Sequence, residues 1–121
     1  GGYIASKESL PLQVVLLATG SEVTPSLEAQ KQLEQDNIGC RVVSIPHLEG
    51  FLNQPSSYIK QVLPKEALRV AVEAGAKMPW YQLTQHIIGM SSFGESADGD
   101  LVMKHFGFDQ ASIVTFVKEL L

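Results

Sequence analysis

The residues Val14-Val15-Leu16-Leu17-Ala18 form an unbroken apolar run between Gln13 and Thr19. Successive side chains of a strand point to opposite faces, so a run without polar alternates has to be covered on both sides. That requirement selects an inner strand of a parallel sheet with helices above and below it. Gly20-Ser21 then interrupts the run, and a helix is expected from Glu22 to Gln35. Ser21 is the expected cap, since its hydroxyl can take a free N–H of the first helical turn, and Pro25 is tolerable there because it falls in that turn. Val23, Leu27, Ala29 and Leu33 recur near the helical period, which gives the helix one apolar stripe. Asn37 to Gly39 closes it.

The next run, Arg41-Val42-Val43-Ser44-Ile45, reads as a second strand stopped by Pro46, which has no N–H for a ladder. Strand, helix and strand make a βαβ unit. Beyond it the pattern predicts a loop from His47 to Pro64 with a short helix around Ser57 to Val62, and a strand from Leu68 to Glu73. A helix near Trp80 to Gln85 and a strand over Ile87 to Met90 follow. A further helix from Asp100 to Phe106 closes at Gly107, and Asp109 caps a last helix from Gln110 to Leu121, with Phe108 and Ile113 placed to staple its start. The expected fold is α/β: a three-layer, doubly wound domain with a mostly parallel, mixed sheet of about five strands and helices on both faces.

A chain of 121 residues has room for one such domain, and at this size folding hides roughly two thirds of the unfolded surface. The leading segment, residues 1–12, reads as a linker from a preceding domain, and 13–121 as the domain itself. Gly1-Gly2 and the polar Ser6-Lys7-Glu8-Ser9 suit a flexible connection, although glycines left by a cloning junction would look the same. The start carries no Met, no basic segment and no apolar signal core.

Charge narrows the function. The net charge is −4 and the nine Lys and Arg are scattered, so no basic stripe exists to line up on phosphates and nucleic acid is not an expected partner. No apolar run approaches the roughly 18 residues that cross a bilayer, so no membrane association is expected either. The one cysteine, Cys40, precedes Val42-Val43 and reads as a buried thiol in a reducing compartment, which fits the cytoplasm.

The residues offer little chemistry. His47, His86 and His105 stand far apart in sequence with no second ligand at helical spacing, so no metal site is expected. Gly20-Ser21-Glu22 lacks the flanking glycines of a nucleophile elbow, and Cys40 lies early in a strand. No catalytic, cofactor-binding or metal-binding residue is therefore assigned. In open α/β sheets ligands collect beyond the carboxyl ends of the strands, and Ala18-Thr19-Gly20-Ser21 sits there, without the glycine pattern or lysine of a phosphate loop. Ser21, Glu73, Glu95 and Ser96 can together form a polar rim at that edge. Carboxylates within it argue against a phosphate, and the competing readings are a capped turn and a loop buried against a neighbouring domain. Gly99-Asp100 lacks the companions expected of a thiamine diphosphate magnesium motif.

Five segments together resemble the C-terminal domain of bacterial transketolases: Ala18-Thr19-Gly20-Ser21-Glu22-Val23, Arg41-Val42-Val43-Ser44-Ile45-Pro46, Val70-Ala71-Val72-Glu73-Ala74-Gly75, Phe93-Gly94-Glu95-Ser96-Ala97 and Phe106-Gly107-Phe108. Gly1-Gly2-Tyr3 resembles the way into that domain and Lys118-Glu119-Leu120-Leu121 its end; Met78-Pro79 and Ala97-Asp98-Gly99-Asp100 depart from the pattern. The resemblance implies a part of an enzyme that moves a two-carbon unit from a ketose phosphate to an aldose phosphate in the pentose phosphate pathway. It implies thiamine diphosphate and Mg or Ca in the full enzyme, none of them held by this domain, which alone is inactive. Its implied partners are the remaining transketolase domains, on the same chain or a separate subunit, and a second copy of the full enzyme, met through an exposed apolar patch. The alternatives are a regulatory module for a small anion or nucleotide, and the matching domain of deoxyxylulose phosphate synthase or a 2-oxo-acid dehydrogenase.

Overall fold

A computed structural model of the chain describes residues 1–73, 78–89 and 109–121. It contains β1 (Tyr3–Ser6), β2 (Leu12–Ala18), α1 (Val23–Gln35), β3 (Gly39–Ser44), α2 (Leu48–Leu52), α3 (Ser56–Val62), β4 (Leu68–Glu73), β5 (His86–Gly89) and α4 (Gln110–Leu120). Two 3₁₀ turns, Gly20–Glu22 and Met78–Gln82, lead into α1 and β5. The five strands lie in the order β1-β3-β2-β4-β5, parallel except for β1, which runs antiparallel along β3 at the edge.

The run that dictated the fold is divided between two cores. Val14, Leu16 and Ala18 pack with Ala29 and Leu33 of α1 and Ile113, Val114 and Val117 of α4. Val15 and Leu17 face the other way, toward Phe51 of α2, Val62 of α3, Leu63 and Trp80. All five are fully buried, so the expected three layers follow from period-two alternation within one strand.

Helix ends follow local chemistry. Asn37 takes a left-handed conformation (φ 65°) after α1, with its N–H on the Glu34 carbonyl and the Ile38 N–H on that of Leu33, which consumes two orphan acceptors. At α4 the Asp109 carboxylate accepts from the Ser112 N–H at 2.8 Å, as its place before Gln110 predicts. The chain also departs from expectation. Leu48–Leu52 is a short helix within the predicted loop, hidden by an internal Gly50 and by an unusual cap, the His47 imidazole, whose Nδ1 accepts from the Gly50 N–H at 3.0 Å. The helix expected at Trp80 to Gln85 is the 3₁₀ turn Met78–Gln82, and β5 starts at His86 rather than Ile87. The predicted helix at Asp100 to Phe106, its Gly107 stop, and Phe108 lie outside the described residues, as does Met90.

Residues 1–12, which Gly-Gly and four polar residues suggest as a linker, include a strand and an ion pair to the sheet. Tyr3–Ser6 pairs with β3, and Glu8 meets the buried Arg41 in a bidentate ion pair, Nε to Oε1 at 2.8 Å and Nη2 to Oε2 at 2.9 Å. The remaining Arg41 nitrogen, Nη1, donates to the carbonyls of Gln61 and Val62 at 3.0 and 2.9 Å, so one guanidinium closes α3 and fastens the leading segment. On the opposite face the buried Gln30 of α1 donates to the carbonyls of Ser6 and Cys40 at 3.1 and 2.9 Å.

The Arg41 guanidinium holds the Glu8 carboxyl below its ordinary value of 4.5. The unfolded chain therefore binds that proton more readily than the folded one. The stabilisation is complete above the ordinary carboxylate range and is lost as pH falls through the folded-state value. Glu8→Ala, which leaves Arg41 buried and unpaired, is expected to cost about 3 kcal/mol at neutral pH. Denaturant melts from pH 7 to pH 3 check both points: the gap between wild type and variant should close on the acid side.

Candidate functional site: the carboxyl edge of the sheet

β2 and β4 are neighbours, so the loops leaving their carboxyl ends start side by side, and Ser21 and Glu73 both belong to that edge. Glu95 and Ser96, the other two rim candidates, lie outside the described residues.

The loop after β2 turns on Gly20, whose φ of +58° is a left-handed conformation that a side chain would strain. Ser21 is exposed, and its hydroxyl donates to the neighbouring Glu22 carboxylate at 3.1 Å. It does not cap α1, which corrects the sequence expectation: the residue before Val23 is Glu22, with helical φ and ψ of −79° and −10°, and no side chain caps the helix. A cap needs an extended residue at that point, and the chain instead winds in through a 3₁₀ turn. The leading N–H groups are largely spoken for: that of Glu22 meets the Thr19 carbonyl, that of Val23 meets Gly20, and Pro25 has none. With the Glu22 carboxylate beside it, this helix start offers an anion few donors.

Glu73 is engaged as well. Its Oε1 accepts from the Trp80 indole N–H at 2.8 Å, and Trp80 is itself buried against the second core. A buried indole requires an acceptor, and Glu73 supplies it across the turn that joins β4 to β5. The acid is thus a fastening of the Met78–Gln82 turn, a role that the lone tryptophan a few residues downstream could have signalled.

The histidines do not converge on this edge among the described residues. His47 caps α2, and His86 lies in β5 opposite Val70; His105 is outside the described residues. Among the described residues no three of His, Cys, Asp and Glu gather as a metal would require. Cys40 is fully buried in β3, and burial, with the charges of Glu34 and Glu8, pushes its thiol up to about 12. Surface clefts among the described residues include one of about 490 Å³ beside Lys7, Gln30, Lys31 and Glu34 and one of about 560 Å³ between His47 and Gln82. Neither includes Ser21 or Glu73.

Two outcomes follow. Ser21→Ala should change stability by less than about 0.5 kcal/mol, as at an exposed site, whereas loss of a true cap costs about 1 kcal/mol; urea melts distinguish these. Cys40 should resist iodoacetamide at pH 8 in the folded chain and react once the chain is unfolded, which mass spectrometry reads directly.

Comparison with known proteins places this arrangement. Residues 1–109 match the family model described as the transketolase-like TK C-terminal domain. Transketolase 1 of Escherichia coli is 40% identical over 125 aligned positions, covering 100% of this chain, and the transketolase of Mycoplasma pneumoniae is 37% identical over 99% of it. The chain spans 19% of the length of each of those two relatives. The solved transketolase of Leishmania mexicana superposes with a TM-score of 0.82 at 37% identity, covering 99% of this chain and 18% of that one. With superposition and sequence agreeing, the chain belongs to the transketolase family and corresponds to its C-terminal domain.

Proposed function

We propose that this domain serves as the C-terminal assembly element of a transketolase that moves a glycolaldehyde unit from a ketose phosphate to an aldose phosphate in the pentose phosphate pathway. The observation that carries the reading is the family match over residues 1–109 in a chain about a fifth as long as its relatives. The rest of such an enzyme has to come from other domains, on the same chain or on a separate subunit. Residues 13–121 are read as the domain proper, with residues 1–12 joining it to what precedes.

In this chemistry thiamine diphosphate supplies the electron sink for cleavage of the ketose carbon bond, and a divalent cation such as Mg or Ca holds its diphosphate. The described residues do not fit that group. Among the described residues no three of His, Cys, Asp and Glu gather for a cation, and the α1 start has most of its N–H groups engaged. On the family reading we assign the cofactor and the catalytic groups to the other domains, and no step of the reaction to this chain. The same occupied donors weigh against the regulatory anion-binding alternative at Ser21 and Glu73.

What is left for the domain is shape and contact. No described helix is long and apolar enough to cross a membrane, and a cytoplasmic, homodimeric enzyme is the setting we propose. The exposed large apolar residues described are Tyr3, Tyr81, Leu120 and Leu121, and they come from three separate elements of the chain rather than one stretch. They are the first positions at which contact with the remaining domains is to be sought.

Calorimetric titration of the 121-residue chain with thiamine diphosphate and magnesium should give no saturable heat, and the chain should not turn over a ketose phosphate unaided. Tight, magnesium-dependent binding would overturn the assignment.

A further inference from the structure

Residues 1–10 are held at both ends of β3 and from both layers of helices. At the carboxyl end of β3 the Gly1 carbonyl accepts from the His47 N–H at 3.2 Å, and the Gly2 carbonyl accepts from the Tyr58 hydroxyl at 2.7 Å. These two bonds tie the first residues to the start of α2 and to α3. Neither glycine has room for a side chain: a Cβ on Gly1 would lie 2.4 Å from the Phe51 nitrogen, and one on Gly2 would lie 2.6 Å from Phe51 Cδ1. The glycines that read as signs of flexibility are there because the backbone lies directly on α2.

At the amino end of β3 the grip is repeated with other chemistry. Gln30 reaches from α1 to the Ser6 carbonyl, Ser9 hydrogen-bonds the Glu34 carboxylate of the same helix, and Glu8 takes the Arg41 guanidinium on the α3 side. Between the two ends, β1 is paired with β3 and Ile4 packs against the second core. Lifting the segment would strip Arg41 of its carboxylate in a buried setting and uncover the edge of β3 together with Phe51 and Ile45. Hinges are drawn from segments that open at little cost, and this one does not.

We propose that residues 1–10 are a locking strap, a self-docked strand that the edge of β3 recognises by two side-chain-free positions, an apolar fourth residue and an acid at the eighth. Any polypeptide joined ahead of Gly1 then leaves from a point fixed beside α2 rather than from the end of a loose tether. This holds whether or not the proposed enzymatic setting is correct.

Native-state hydrogen exchange on the 121-residue chain, followed by NMR, tests it. The best protected amides of residues 3–8 should exchange at least about 100-fold more slowly than in an unstructured chain. Glu8→Gln should speed them by about tenfold or more while the amides of β2 and β4 shift less. Tyr58→Phe, which keeps the ring and loses only the bond to Gly2, is the milder variant and should loosen residues 1–4 while leaving the Glu8 end in place. The proposal is overturned if the strap amides of the wild-type chain exchange at nearly the unstructured rate while β2 and β4 stay protected, or if neither variant alters them.

Discussion

Everything in this fold is arranged around one strand that must be hidden on both faces. β2 contributes five consecutive apolar side chains, alternately to the α1–α4 core and to the α2–α3 core, and both of its neighbours run parallel to it. A parallel neighbour needs a crossover, and a crossover helix is what covers a face, so the burial of β2 and the layered topology are one constraint seen twice. The antiparallel β1 stands outside that logic, at the edge, where a strand needs only one partner.

Much of this was legible because it depends on local spacing. The unbroken run at Val14–Ala18, the apolar stripe of Leu27, Ala29 and Leu33, and Asp109 before the last helix each announce their element within a few residues. What escaped depends on contacts distant in sequence. Nothing around Gly1 and Gly2 shows that Phe51 and Tyr58 will lie against them, and nothing around Glu8 shows that Arg41 waits for it on β3. Polar, glycine-rich stretches look alike whether solvated or docked. The cap expected at Ser21 failed for a subtler reason, because its identity suits the task while the helical backbone of Glu22 removes the geometry that the task needs.

At the candidate site the sequence marked the sheet edge that holds Ser21 and Glu73 but not the bonds these side chains make there. Side chains that would be expected to act are engaged in holding the chain together: Glu73 on Trp80, His47 on the turn of α2, Glu8 on Arg41, and Glu34 on Ser9 and the Cys40 N–H. The hydrogen bond from Arg41 holds the Glu8 carboxyl below its ordinary value, which keeps it an anion near neutral pH.

The bond between Glu73 and Trp80 has a practical side. The chain contains a single tryptophan, and its indole sits at the carboxyl edge of the sheet with its nitrogen bound to an acid and its ring in the second core. Tryptophan emission from this chain is therefore the signal of one place: any event that competes for that carboxylate, or lets water reach the ring, changes it without the need for a dye.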